Sequence, residues 1–326
     1  MRTGNLNREH VEGRVYEHEL AIKTVQSKDS ANFGKEFISG TIDVATNENP
    51  DEMNIVQVHF TFVTETTKKG AKNATFAALK KIIEEGKTWV GDGQEAATKV
   101  KIDTALGLND FYLEDDTLVS QKVNEGGFVT IVSSLNEDVA ARSTWEADMV
   151  IMNITKVEAD AEKNIPAPFV RVGGIVFDFR NAALPMEYVA EDPKAIAWFE
   201  KQDVSQANPI FTKVWGQLDC KNTIVERTEE SAFGEPTVKK YTRKTKKWLL
   251  TNLSPNFYDF GDEKVMTMDE VVKANQDRQV YLADKKRQRE EYLAQKNAAT
   301  PAAPAGFPTS PAPAAPAMAP VGGFTF

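Results

Sequence analysis

Few residues in this chain are of the types that make or break covalent bonds. It has three histidines, His10, His18 and His59, and a single cysteine, Cys220. A structural zinc site needs four nitrogen or sulfur ligands; His10 and His18 fall two turns apart if their segment is helical, but no third ligand accompanies them. His59 alternates with apolar neighbours and reads as a partly exposed strand residue. Cys220 falls in parity with Val214 and Leu218, as a small buried hydrophobe would. Glu114, Asp115 and Asp116 in "YLEDDTL" have the oxygens a hard cation needs, but adjacent acids are expected first as a solvated turn. No Walker A loop, GxSxG elbow or HExxH pair occurs, and "VGDGQ" holds GxG without the rest of a dinucleotide fingerprint. The expectation is a protein that is no enzyme and takes no metal or cofactor.

The residues that stand out are of another kind. "PTVKKYTRKTKKWLLTN", Pro236 to Asn252, gathers Lys239, Lys240, Arg243, Lys244, Lys246 and Lys247 around Tyr241 and Trp248, in a chain whose net charge is −9. Binding a single-stranded nucleic acid asks for cations that follow the phosphates and flat rings on which bases stack. In "PIFTKVWGQLDC", strand alternation puts Phe211, Lys213, Trp215 and Gln217 on one face and Ile210, Val214 and Leu218 on the other. The second set can fill a core and the first can face a ligand. Tyr241 and Arg243 share a face in the same way, flanked by Lys239. Phe211, Trp215 and Tyr241 are therefore the expected stacking rings, and the six cations, with Lys213, the phosphate contacts. Trp248, beside Leu249 and Leu250, is expected in the core. A competing account pairs the cations within the protein: "IVERTEESAFGEPTVKKYTRKTKKW" also reads as a hairpin turning near Phe233–Pro236, with Glu226, Glu229 and Glu230 across from the basic strand. Six cations against three glutamates would still leave a surplus. Lys68, Lys69 and Lys72 in "ETTKKGAK", and Lys99 and Lys101 in "TKVKID", are further candidates in the first half of the chain, where a solvated loop is the default.

The elements that must position these residues are mostly strands. With 326 residues, 41% of them hydrophobic, the chain can bury substantial cores, and two domains are the natural division. After an N-terminal extension, 1–31, a first β module spans 32–160: the strands "EFISGTIDVAT" and "MNIVQVHFTFVTET", a helix in "NATFAALKKIIEEG", then further strands. "EKNIPAPF" supplies a proline-stiffened linker, 161–168. A second β module, 169–260, repeats this order of elements without repeating residues. It has a Gly-Gly bend in "FVRVGGIVFDFRN" and a short helix with Asp192 as its N-cap. Thr267 and Glu270 form a capping-box pattern opening a long helix, 267–297, expected to be solvated. The Ala/Pro-rich remainder, 298–326, is expected to be disordered and ends in Phe324 and Phe326. No run of about 18 apolar residues exists, no secretory signal is evident, and a lone cysteine suits a reducing cytoplasm.

Two consecutive strand-rich modules, each with a helix between early and late strands, resemble tandem OB-folds. With the basic, aromatic late strands and the aromatic-tipped tail, the chain is similar to single-stranded DNA-binding proteins, most of all those of tailed bacteriophages. That resemblance implies two small OB-like barrels and a non-enzymatic role in DNA replication, recombination or repair in a host cytoplasm. It further implies recruitment of other replication proteins through Phe324 and Phe326. The family's tail tips are acidic, whereas "PVGGFTF" offers only its terminal carboxylate. The family often self-associates, but the sequence shows no interface and leaves the oligomeric state open. The rival class is a virion structural or assembly protein, and RNA in place of DNA is a third reading.

Overall fold

The computed structural model describes residues 6–50, 52–67, 69–163, 165–229, 237–262 and 265–299, with the backbone alone for 223–229, 237, 239–244 and 296–299. The chain divides into two compact units, Met1–Ala283 and Asp284–Phe326. It is mainly β with short helices, and the first unit is organised around two closed rings of strands.

The first ring uses β1 (Asn7–His18), β3 (Glu36–Ala45), β4 (Glu52–Thr64), β5 (Lys99–Tyr112) and β6 (Leu118–Ile131). β1 pairs with β3, β3 with β4, β4 with β6, β6 with β5, and β5 returns to β1. Every pairing is antiparallel except the closing one, where Val58 and His59 lie parallel to Asn124 and Glu125. A short β2 (Ala21–Thr24) extends β3. The helices α1 (Ala74–Glu85) and α2 (Trp89–Asp92) fill the connection from β4 to β5. Sequence dictates where α1 starts and stops: the Asn73 side chain accepts from the Thr75 amide, and the Gly86 amide reaches back to the Ile82 carbonyl. Its buried stripe, Phe76, Leu79 and Ile82, closes one end of the ring.

The second ring repeats the connectivity with β7 (Ser143–Val157), β8 (Phe169–Phe177), β9 (Ala183–Ala190), β10 (Ile210–Asp219) and β13 (Lys247–Leu253). β7 pairs with β8, β8 with β9, β9 with β13 in parallel, β13 with β10, and β10 with β7. The helix α3 (Pro193–Phe199) occupies the place of α1, and Asp192 caps it as expected, accepting from Lys194 and Ala195. Gly174, in the Gly-Gly bend, sits so close to β7 that a Cβ there would collide with the Val150 carbonyl; only glycine allows the ring to coil this tightly. A closed ring in which the third and fifth strands meet in parallel, with a helix before the fourth, is the OB arrangement.

The rings start earlier than composition suggests. β1 lies within 1–31 and β7 within 32–160, so the rings are built from residues 7–131 and 143–253. The connection from β7 to β8 carries an Asp160–Ile165 bridge, and Pro166 and Pro168 of "EKNIPAPF" follow it just before β8. β1 and β7 pair antiparallel from Asn7↔Ala147 to Val11↔Ser143, joining the rings into one continuous sheet. Their interiors merge into a single core in which Trp145 stacks on Tyr188 at 4.1 Å.

The last helix, α4 (Met268–Ala299), opens on the capping box read from sequence: the Thr267 amide donates to Glu270 Oε2 (2.9 Å), and the Glu270 amide to Thr267 Oγ1 (3.3 Å). Within the first unit its Val271, Ala274, Arg278 and Leu282 are buried. Arg278 bonds Asp110 at 2.7 Å, and the Tyr112 hydroxyl donates to the Leu282 carbonyl at 3.2 Å. This half of α4 is docked, where the sequence suggests a solvated helix. In the second unit Arg287 pairs along the helix with Asp284 and Glu291.

Candidate nucleic-acid interface

The basic stretch folds as one arm of a hairpin, β11 (Lys221–Glu229) with β12 (Thr237–Lys244), inserted between β10 and β13. It thus occupies the connection between the fourth and fifth strands of the second ring. The register sets Lys240 opposite Glu226, Lys239 opposite Arg227, Tyr241 opposite Val225 and Arg243 opposite Thr223. The hairpin account of this segment is therefore right in its backbone. The side chains of Lys239, Lys240, Tyr241, Arg243 and Lys244 lie outside the described residues, as do the turn residues 230–236. The base of the hairpin is fixed to the first ring: Lys221↔Asn54 through Thr223↔Glu52 pair with β4, and Lys221 bonds Glu52 at 2.8 Å. Asn54 reinforces the junction, accepting from the Cys220 amide (2.6 Å) and donating to the Leu218 carbonyl (3.0 Å).

Of the six cations, the two whose side chains are described, Lys246 and Lys247, both have partners in the protein. Lys246 holds its ammonium 4.8 Å from the Trp248 ring centroid and donates to the Lys122 carbonyl at 3.2 Å. Lys247 bonds Glu191 at 2.7 Å. Trp248 is buried, as expected, and its Nε1–H donates to Glu9 at 3.2 Å. Cys220 is buried too, and burial pushes its thiol up to about 12.

Phe211 is the clear correction. Its strand parity matches Lys213 and Trp215, but it is only 1% exposed. The segment after β13 folds back across it, placing Tyr258 edge-on at 5.0 Å and Phe260 stacked at 5.4 Å. The Tyr258 hydroxyl anchors this cover by donating to Asp148 (2.7 Å). No base can reach Phe211 in this arrangement.

Lys213, Trp215 and Gln217 do share an open face. They line a groove of about 840 Å³ with Arg8, His10, Lys101, Asp103, Thr144 and Glu146, running over β5, β1, β7, β10 and β13. Cross-strand pairing explains the gathering: Trp215 opposes Glu146, Glu146 opposes Arg8, and His10 opposes Asp103. Lys213 bonds Glu146 at 2.6 Å and lies 6.0 Å from the Trp215 ring. Arg8 shares that carboxylate at 3.7 Å, and His10 sits 3.3 Å from both Asp103 and Glu12. Directly beneath, Glu9 is fully buried, and burial pushes its carboxyl up to about 7 against the opposing hydrogen bonds from Thr104 and Trp248. Arg8 and His10 were not legible as groove residues, because only the β1–β7 pairing brings them beside β10.

The remaining candidates lie elsewhere. Lys69 and Lys72 are exposed in the turn that follows β4, closed by a Thr66–Lys72 bridge, and Lys68 is outside the described residues. Phe324 and Phe326 are also outside them. Glu114, Asp115 and Asp116 form the turn between β5 and β6, with Asp115 accepting from the Thr117 amide. His10 and His18 are on a strand, not a helix. Among the described residues no cluster of side chains is suited to hold a metal, and no helix is long and apolar enough to cross a membrane.

Fold and interface together define a tandem OB-type protein with a basic hairpin on its second ring. The chain belongs to the YorF family, whose model matches residues 6–288. Among curated proteins none matches it in sequence. Among solved structures it is similar to a deletion mutant of the single-stranded DNA-binding protein from Thermus aquaticus, with 12% identity and a TM-score of 0.43, over 79% of this chain and 98% of that one. The mitochondrial single-stranded DNA-binding protein of S. cerevisiae is also similar, with 6% identity and a TM-score of 0.22, over 39% of this chain and 96% of that one. Likenesses this distant carry no weight for function.

Proposed function

We propose that this chain is a non-enzymatic, sequence-tolerant binder of single-stranded DNA, protecting unpaired strands during replication, recombination or repair. The observation that carries the reading is the place of the basic stretch. OB-folds hold oligonucleotides with the face of their second and third strands and with the loops joining strands one to two and four to five. The hairpin of β11 and β12 is the four-to-five connection of the second ring, and its second strand bears Lys239, Lys240, Arg243 and Lys244 around Tyr241. In this reading the cations neutralise phosphates and release counterions, and Tyr241 and Trp215 offer ring faces to bases. Phe324 and Phe326 would recruit replication or recombination proteins.

Oligothymidine titrated at several salt concentrations tests it. Affinity is expected to fall steeply with salt, and Lys239→Glu with Lys240→Glu to reduce the slope of log K against log salt by about 0.7 for each phosphate no longer neutralised. A salt-independent affinity, or an unchanged slope in the double variant, overturns the reading. A large assembly on size exclusion that ignores the oligonucleotide points instead to a structural role in a virion. Competition between matched DNA and RNA strands decides the sugar.

A further inference from the structure

The turn between β8 and β9 carries a ring and a guanidinium that the hairpin and groove do not involve. Phe179 is 81% exposed, more than any other large hydrophobic side chain among the described residues. Arg180 lies over its ring, 4.9 Å from the centroid. The turn beneath them is stiff. Asp178 Oδ1 accepts from the amides of Arg180 (2.7 Å) and Ala182 (2.8 Å), the Asp178 amide donates to the Ala182 carbonyl (3.1 Å), and Asn181 takes a left-handed φ of 67°. Phe179 thus presents an open ring face on a turn held by its own hydrogen bonds.

That ring forms one wall of a cleft of about 540 Å³, with Tyr281 of α4 and the β5 segment Leu106–Leu108 among its other walls. Arg278, also in the lining, bonds Asp110 at 2.7 Å; Arg180, the other guanidinium, lies over the Phe179 ring and near Glu125, whose carboxyl it holds down against the effect of burial. Asp178, Asp277 and Glu125 also line the cleft. Carboxylates repel a phosphate but accept hydrogen bonds from the N–H groups of a base. The chemistry therefore suits a base inside and its phosphate outside.

We infer that Phe179, Arg180 and Tyr281 form a stacking subsite for one unpaired base, with Phe179 against its face and Arg180 on the adjoining phosphate. This rests on the reading of the chain as a single-strand binder and extends its binding surface to the second and third strands of the second ring.

The test uses the full chain and oligothymidine of about 16 nucleotides, the upper range for one OB-fold. Phe179→Ala is expected to weaken binding roughly five- to a hundred-fold, with an unchanged thermal midpoint because the ring packs on so little. Phe179→Trp is expected to retain affinity and to show fluorescence quenching on saturation beyond that of the wild type. Wild-type affinity in Phe179→Ala, or no added quenching in Phe179→Trp, removes the subsite while leaving the binder reading intact. If the wild-type chain binds no oligonucleotide, both fall.

Discussion

At the scale of single residues, Phe211 and Glu9 show how environment overrides type. Phe211 has the parity of a ligand-facing ring, yet Tyr258 and Phe260 enclose it. Phe211→Ala is accordingly expected to cost about 3–5 kcal/mol in urea denaturation, while the molecules that remain folded bind oligothymidine as the wild type does. Glu9 is a carboxyl whose charged form burial penalises, so the folded chain holds its proton up to about pH 7, against 4.5 for an unperturbed carboxyl. A folded-state value raised above the unfolded one means that this contribution to stability is complete below pH 4.5 and is lost as pH rises through 7. The part of the stability measured in urea that Glu9 supplies should therefore decline across that window, by about 3 kcal/mol, against the opposite slope of His18 and His59, which burial lowers, and Glu9→Gln should remove that decline. A Glu9→Gln profile that runs parallel to the wild type would contradict the assignment. Lys122, whose burial lowers its ammonium to about 8, is protonated on both sides of the window and adds no slope within it.

At the scale of elements, caps and alternation were readable. Asp192 and the Thr267–Glu270 box start helices where their patterns place them, and Val214 and Leu218 face the core as their spacing demands. What local pattern could not convey was partnership across long separations. The cover over Phe211 comes from residues 258–260, more than forty positions away, and Arg8 reaches the groove only through β7. The docking of α4 was hidden for the same reason. Its buried stripe includes Arg278, which reads as a solvent residue until Asp110 is placed opposite. Arg278→Met leaves the Asp110 charge buried without that partner, and the expected loss is about 3–5 kcal/mol, largely restored by Asp110→Leu on the same chain. Additive losses in the double variant would show that the pair does not couple the helix to β5.

At the scale of the whole molecule, the repeated order of elements was visible in sequence, and the rings carry the same connectivity twice. Their starting points were not visible, since the strand that opens each ring pairs with its counterpart rather than announcing a boundary. The two rings are alike in backbone but not in the corner joining strands four and five. In the second ring that corner is the lysine-bearing hairpin; in the first it is the short turn holding Glu114, Asp115 and Asp116. By the charges in the sequence, a polyanion bound as proposed would be drawn to one of these equivalent corners and repelled by the other. On the proposed reading, connectivity repeats while charge does not, and an unpaired strand laid across both corners would have a preferred end at which to begin.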